Sequence, residues 1–186
     1  QAVGCWDAID AKELLRSGAN PNIEDIKGET PIFLFWESDY EEKLIELLKF
    51  GAKIDHKNKQ AQTPLVKAVL LGRVDIAKLL IKYGASESEL LERGEELLKG
   101  LIEEQKKEGI EFLVERGIVD RSNNFKSDSI IVEIAKLGDV EWIKRFRDKG
   151  HSLLEKNHMG ETILTVAIGN KCFEIVDYLA KTEDAK

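Results

Sequence analysis

The chain has 186 residues, 42% hydrophobic and 34% charged, a balance that fits a folded globular chain and excludes a disordered one. Its formal net charge of −7 argues against nucleic acid as a partner, because that binding rests on many lysine and arginine contacts to phosphate. No apolar run approaches the ~20 residues of a membrane span, and the first residues lack the basic-then-apolar pattern of a secretory signal.

From the N-terminus, residues 1–24 predict one clear helix, Ala8 to Arg16, with Leu14 and Leu15 on its apolar side and a stop at Gly18. The extended stretch Ala19-Asn20-Pro21-Asn22 follows. Residues 25–57 open on Thr30-Pro31 and carry two bulky rings, Phe35 and Trp36, expected in the core. Asp39 then stands where a turn glycine is expected, which predicts a looser loop over Glu37 to Glu41.

Residues 58–90 give the clearest unit. Thr63 can cap a helix, and Pro64 suits its first position because the missing N–H has no partner there. Leu65, Ala68 and Val69 mark one apolar face, Gly72 permits a tight turn, and Ile76, Ala77, Leu80 and Ile81 mark a second face that stops at Gly84. Such a helix pair is greasy on one side and cannot bury that side alone.

Residues 91–123 depart from this pattern. Glu96-Leu97-Leu98-Lys99 replaces the capping Thr-Pro, Gln105 replaces the turn glycine, and Gly109 falls in a core slot. The run from Ser86 to Gly109 reads as helix, with Ser86 or Ser88 available as a cap. A glycine inside a helix costs about 1 kcal/mol against alanine, so this segment is expected to be the softest. Residues 124–156 keep Ser129, Gly138 and Gly150, with Trp142, Ile143 and Phe146 expected in the core; residues 157–186 keep Gly160, Thr162, Ala167, Ile175, Val176 and Leu179. The last helix, with Ala180 and the ending KTEDAK, is read as small and polar enough to cap a stack.

The stops Gly18, Gly51, Gly84, Gly117 and Gly150 recur every 33 residues, as do Thr30-Pro31 and Thr63-Pro64, Ser129 and Thr162; Gly28, Gly94 and Gly160 share the register. GETPIFLFW, AQTPLVKAV and GETILTVAI resemble the Gly-x-Thr-Pro-Leu-His-x-Ala-Ala pattern of ankyrin repeats, whose period is about 33. The resemblance covers essentially the whole chain. It implies an all-α solenoid of stacked antiparallel helix pairs with short hairpin fingers: a partial repeat over 1–24, then repeats over 25–57, 58–90, 91–123, 124–156 and 157–186, all in one domain.

The chemistry-bearing residues are few. His56, His151 and His158 lack the third and fourth ligands a metal needs and are read as solvated finger residues. Neither Cys5 nor Cys172 has a histidine in its repeat to activate it. Stacked helices lie about 8–10 Å apart, so opposite ends of the stack are too distant for a disulfide, whose Cα atoms come within about 7 Å. No catalytic constellation, cofactor motif or metal site is found.

The resemblance implies a concave surface lined by finger tips and inner helices. Its matching positions begin with Glu24, Ile26, Lys27, Glu29, Glu37 and Ser38, then Lys57, Lys59, Gln60, Gln62, Leu70 and Leu71. They continue with Glu92, Arg93, Glu95, Glu103 and Glu104, then Phe125, Lys126, Asp128, Lys136 and Leu137, and end with Lys156, His158, Met159, Glu161, Gly169 and Asn170. Leu70, Leu71, Phe125 and Met159 are apolar where the scaffold does not require it, which marks them as candidate anchors. Glu92, Glu95, Glu103 and Glu104 read as an acidic wall opposed locally by Arg93. The expected function is that of a non-enzymatic module binding a protein partner, one with a basic patch, with no cofactor, nucleic acid or membrane. The alternatives are a targeting block of a larger enzyme or receptor, or an inhibitor or immunity-type protein for a toxin. A monomer is expected, in the cytoplasm; the missing initiator methionine implies a trimmed start and leaves a cleaved signal open.

Overall fold

The computed structural model describes residues 8–34, 40–121 and 129–182. The readings of Cys5, Phe35, Trp36, Glu37, Ser38, Asp39, Phe125, Lys126 and Asp128, and of the last four residues, lie outside them. Among the described residues all regular structure is helical, and the chain divides into two compact units, Gln1–Leu90 and Leu91–Lys186.

The first unit holds α1 (Ala8–Arg16), a 3-10 turn at Pro31–Phe33, α2 (Tyr40–Lys49), α3 (Pro64–Leu70) and α4 (Val74–Lys82). Thr63 caps α3 as its sequence predicts, its hydroxyl accepting from the Val66 N–H at 3.3 Å. Leu65, Val66, Ala68 and Val69 of α3 and Ile76, Ala77 and Leu80 of α4 are buried, so the two faces read from the sequence do form the core. Tyr40 is buried behind the 3-10 turn, donating to the Ile32 carbonyl at 2.7 Å; burial pushes its phenol well above the usual value.

A short helix, α5 (Ser88–Glu92), follows the first unit. It stands where a finger would be, and the Ser86 hydroxyl accepts from the Ser88 N–H at 3.3 Å. The second unit then runs α6 (Gly94–Glu103), α7 (Lys107–Glu115), α8 (Ile118–Arg121), α9 (Ile130–Ile134) tightening into a 3-10 turn at Ala135–Leu137, α10 (Val140–Asp148), α11 (Ile163–Gly169) and α12 (Phe173–Lys181). Its core includes Leu97, Leu98, Leu101, Ile110, Ile131, Ile163 and Ile175, with Trp142, Ile143 and Phe146 buried as expected. Gly109 is buried in α7.

The period of 33 is visible in the backbone itself. Gly72, Gln105, Gly138 and Lys171 all turn between the paired helices in left-handed conformation, with φ of 73°, 54°, 73° and 58°. Where glycine is absent the turn keeps its geometry, and Gln105 and Lys171 bear a strain of about 1 kcal/mol each.

Two expectations are corrected. His56 is not a solvated finger residue: its side chain is largely covered, its Nε2 lies 3.0 Å from the Gly28 carbonyl, and its ring meets Phe33 edge-on. His151 likewise packs on the Phe146 ring at 5.2 Å between centroids. The last helix pair, in turn, does not end in a polar capping face, because Leu164, Ile168 and Phe173 are exposed on it.

Candidate functional site

The fingers are built on one turn used three times. The Asp25 carboxylate accepts from the N–H groups of Lys27 and Glu29, both at 2.8 Å. The Asn58 side-chain carbonyl does the same for Gln60 and Gln62, at 3.0 and 2.9 Å, and that of Asn157 for Met159 and Glu161, at 3.1 and 2.9 Å. A short side-chain acceptor thus folds the backbone two and four residues ahead of it. The backbone donors, Glu29 first, hold the Asp25 carboxyl below its usual range. Neighbouring fingers are then joined: Lys59 N–H donates to the Lys27 carbonyl at 2.9 Å and Lys59 Nζ to the Ile26 carbonyl at 2.8 Å. Asn22 accepts from Lys53 N–H, and Asp55, 33 residues on, accepts from Ser86 N–H.

Sequence reasoning missed this turn, although its signal is plain: Asp25, Asn58 and Asn157 stand at multiples of 33 in spacing. In the fourth repeat the register falls on Leu91, which has no acceptor. There α5 and α6 replace the finger, and Gly94, in register with Gly28 and Gly160, opens a helix rather than turning left-handed.

The predicted surface residues divide into those tied into the scaffold and those presented outward. Glu29 is half-buried in an ion pair with Lys67 at 2.6 Å, and the Lys67 ammonium lies 5.6 Å from the centre of the Phe33 ring. Gln62 lies within reach of Asn58 at 3.5 Å. Leu70 is half-buried, whereas Leu71 is 49% exposed and Met159 70% exposed. Lys27, Lys59, Gln60, Glu92, Glu103, Glu104 and His158 are exposed, and Leu137 half-buried.

The acidic wall is more neutralised than its sequence suggests. Arg93 holds Glu96 through two nitrogens, at 3.0 and 2.7 Å, which lowers that carboxyl below its usual range. Glu95 is paired with Lys99 at 2.8 Å. These five residues, Glu92, Arg93, Glu95, Glu96 and Lys99, line one open cleft of about 400 Å³. A second cleft of about 370 Å³ is lined by Ile102, Glu103, Gln105, Lys136, Glu161, Thr165, Val166, Gly169 and Asn170, so it gathers five surface positions predicted from three different repeats. Its one cation, Lys136, is already bonded to the buried Glu133 at 2.6 Å, which leaves Glu103 and Glu161 to set an acidic character. Among the described residues no three His, Cys, Asp or Glu side chains converge as a metal site would, and no helix is long and apolar enough to cross a membrane.

Residues 7–89 match the family model for ankyrin repeats, in three copies. The whole chain resembles the crystal structure of the ankyrin repeat protein EF0377 (TM-score 0.65, 20% identity, covering 95% of this chain and 93% of that one). It is also similar to a chain of the complex between the predatory endopeptidase Bd0816 and the immunity protein Bd3460 from Bdellovibrio bacteriovorus (TM-score 0.66, 22% identity, covering 95% and 92%). The chain therefore belongs to the ankyrin-repeat family and has its all-α fold. Among curated relatives, the potassium channel AKT2/3 of Arabidopsis thaliana is 23% identical over 168 residues, 90% of this chain; the match spans 17% of that channel's length. Ankyrin repeats serve in general as protein-interaction modules.

Proposed function

We propose that the chain is a non-enzymatic module that receives a protein partner on the face of its fingers and inner helices. The observation that supports this most is the 370 Å³ cleft, where residues predicted from separate repeats converge on an apolar floor of Ile102 and Val166 under an acidic rim. That rim suits a basic side chain on the partner. Charge complementarity of this kind raises the association rate more than the final affinity. Lys27, Glu29, Lys59, Gln60, Gln62 and Leu71 form the corresponding surface of the first unit, and Leu71 is its apolar anchor.

The test is affinity capture from the source cell with wild-type chain and with Glu103→Lys/Glu104→Lys, followed by kinetics on the captured protein. The double reversal is expected to slow association and flatten its salt dependence, while Leu71→Ala is expected to speed dissociation. An unchanged on-rate in the double reversal, together with loss of binding on substitution of Lys78 or Glu111 on the second helices, would place the contact elsewhere. A second reading, an inhibitor or immunity-type protein, is favoured by the similarity to a chain of the endopeptidase–immunity protein complex. It requires the captured partner to lose enzymatic activity when the chain is added. The match to a small part of a much longer channel favours a third, in which the repeats target a larger protein.

A further inference from the structure

The exposed face of the last helix pair is built as a contact surface. Leu164 is 44% exposed, yet its counterparts at intervals of 33, Ile32, Leu65, Leu98 and Ile131, are fully buried. Ile168 is 60% exposed, against complete burial of Val69 and Ala135 and near-complete burial of Ile102. Phe173 is 74% exposed. Val176 is half-buried where Leu44, Ala77, Ile110 and Ile143 are fully covered.

The junctions between other repeats show what these positions do. Glu41 and Lys107, the counterparts of Phe173, reach forward to Lys82 at 2.7 Å and Asp139 at 2.9 Å. Glu111, the counterpart of Asp177, reaches Arg145 at 2.8 Å, and Arg147, the counterpart of Ala180, donates to the Tyr178 hydroxyl at 2.6 Å. In the last pair the forward-reaching charges are replaced by a phenyl ring and a methyl group. A surface meant for water would carry the reverse substitution.

We infer that this face binds a second copy of the chain, in a two-fold contact with α12 antiparallel to its symmetry mate. Phe173, Val176 and Ala180 are spaced by three and four residues, so they form one seam along α12. Leu164 and Ile168, four apart on α11, widen it. When two such seams run antiparallel and cross near Val176, Phe173 of one copy meets Ala180 of the other, a large side chain against a small one. The same crossing brings exposed Glu174 of one copy beside exposed Lys181 of the other, so charge as well as size is self-complementary. A two-fold contact covers the face with itself and closes, whereas a head-to-tail contact grows without limit. The monomer expected from the sequence is thereby replaced by a weak dimer. This inference is independent of the finger-and-groove reading, since it uses none of those residues.

Sedimentation velocity of the 186-residue chain over roughly 1–500 µM tests it, the range in which a small contact associates. The expected result is a monomer–dimer equilibrium that Phe173→Glu/Ile168→Glu abolishes while helical circular dichroism is retained. Glu174→Lys is expected to weaken the dimer about tenfold through two lost ion pairs, and adding Lys181→Glu to restore it. A monomer at all concentrations, a dimer indifferent to Phe173→Glu/Ile168→Glu, or a series of species beyond the dimer would each overturn the inference. So would a dimer that Glu174→Lys leaves unchanged.

Discussion

Residues 58–90 and 91–121 occupy the same period and reach the same helix-pair architecture by different routes. In the first, Asn58 folds a finger, Thr63 caps α3, and glycine takes the left-handed turn at position 72. In the second, Leu91, Glu96 and Gln105 hold those places; the finger becomes α5, the cap is gone, and the turn is kept under strain. The difference shows what the period conserves. Stacking fixes where the chain must turn between paired helices, and any residue is forced into that turn. The finger has no such enforcement, so it exists only where a side-chain acceptor builds it.

If that is right, removing the acceptor in residues 58–90 has the largest effect. Asn58 is buried, and Asn58→Leu leaves the Gln60 and Gln62 N–H groups without their acceptor. An orphaned buried donor costs about 1–3 kcal/mol, so a loss of about 3 kcal/mol in urea denaturation is expected. Asn58→Asp keeps both bonds, as Asp25 does in the preceding finger, and is expected to lose far less. Equal losses for the two variants would mean that the turn is held by its neighbours and not by the acceptor.

The caps sharpen the contrast at a single register position. Thr63→Ala removes the bond to Val66 N–H, and a lost N-cap costs about 1 kcal/mol. Glu96, 33 residues later, lies inside α6 and pairs with Arg93 on the surface. Glu96→Ala is therefore expected to cost below about 0.5 kcal/mol.

The turn predicts a gain. Gln105 is exposed with φ of 54°, and Gln105→Gly is expected to raise stability by about 1 kcal/mol by relieving left-handed strain. Gly72→Gln, which gives residues 58–90 the turn of residues 91–121, is expected to lose about as much. Two changes of the same sign in the urea midpoint would mean that the two turns are not equivalent.

Much of this was legible in the sequence, for a physical reason. The glycine stops, the Thr-Pro cap and the apolar positions of α3, α4, α10 and α11 each reflect a local demand that few residue types meet. The helical link after Ser86 was legible too, because a run without turn residues has no other local preference. What escaped was the pairwise chemistry. Nothing in the residue types reveals that Glu95 is neutralised by Lys99, that His56 is tied to Gly28, or that Glu29 is held by Lys67, since each depends on distances set by stacking. The exposed seam of Leu164, Ile168 and Phe173 escaped for another reason: these residues look like core until the absence of a covering helix among the described residues is seen.

Acid gives the smallest and most local contrast. Asp139 caps α10 through the Glu141 N–H at 3.1 Å and pairs with Lys107 at 2.9 Å. The Lys107 ammonium foremost, with the Glu141 N–H, holds its carboxyl below the usual range. A carboxyl depressed in the folded state contributes stability that is present above its unfolded pKa of about 4 and is lost as pH falls through the folded value. Lys107 is more than half exposed, so the pair is screened, and Asp139→Asn is expected to cost only about 0.5–1 kcal/mol at pH 7. At about pH 3 the wild-type carboxyl has largely given up this advantage, and the two proteins should converge. In residues 58–90 the comparable carboxylate is Asp75, also depressed, chiefly by Arg73, but that pair lies two residues apart on open surface. Asp75→Asn should shift the urea midpoint by nothing measurable at either pH. Acid then loosens the Lys107–Asp139 junction selectively, and a penalty for Asp139→Asn that persists undiminished at pH 3 would assign its role to the cap geometry, which asparagine shares, rather than to its charge.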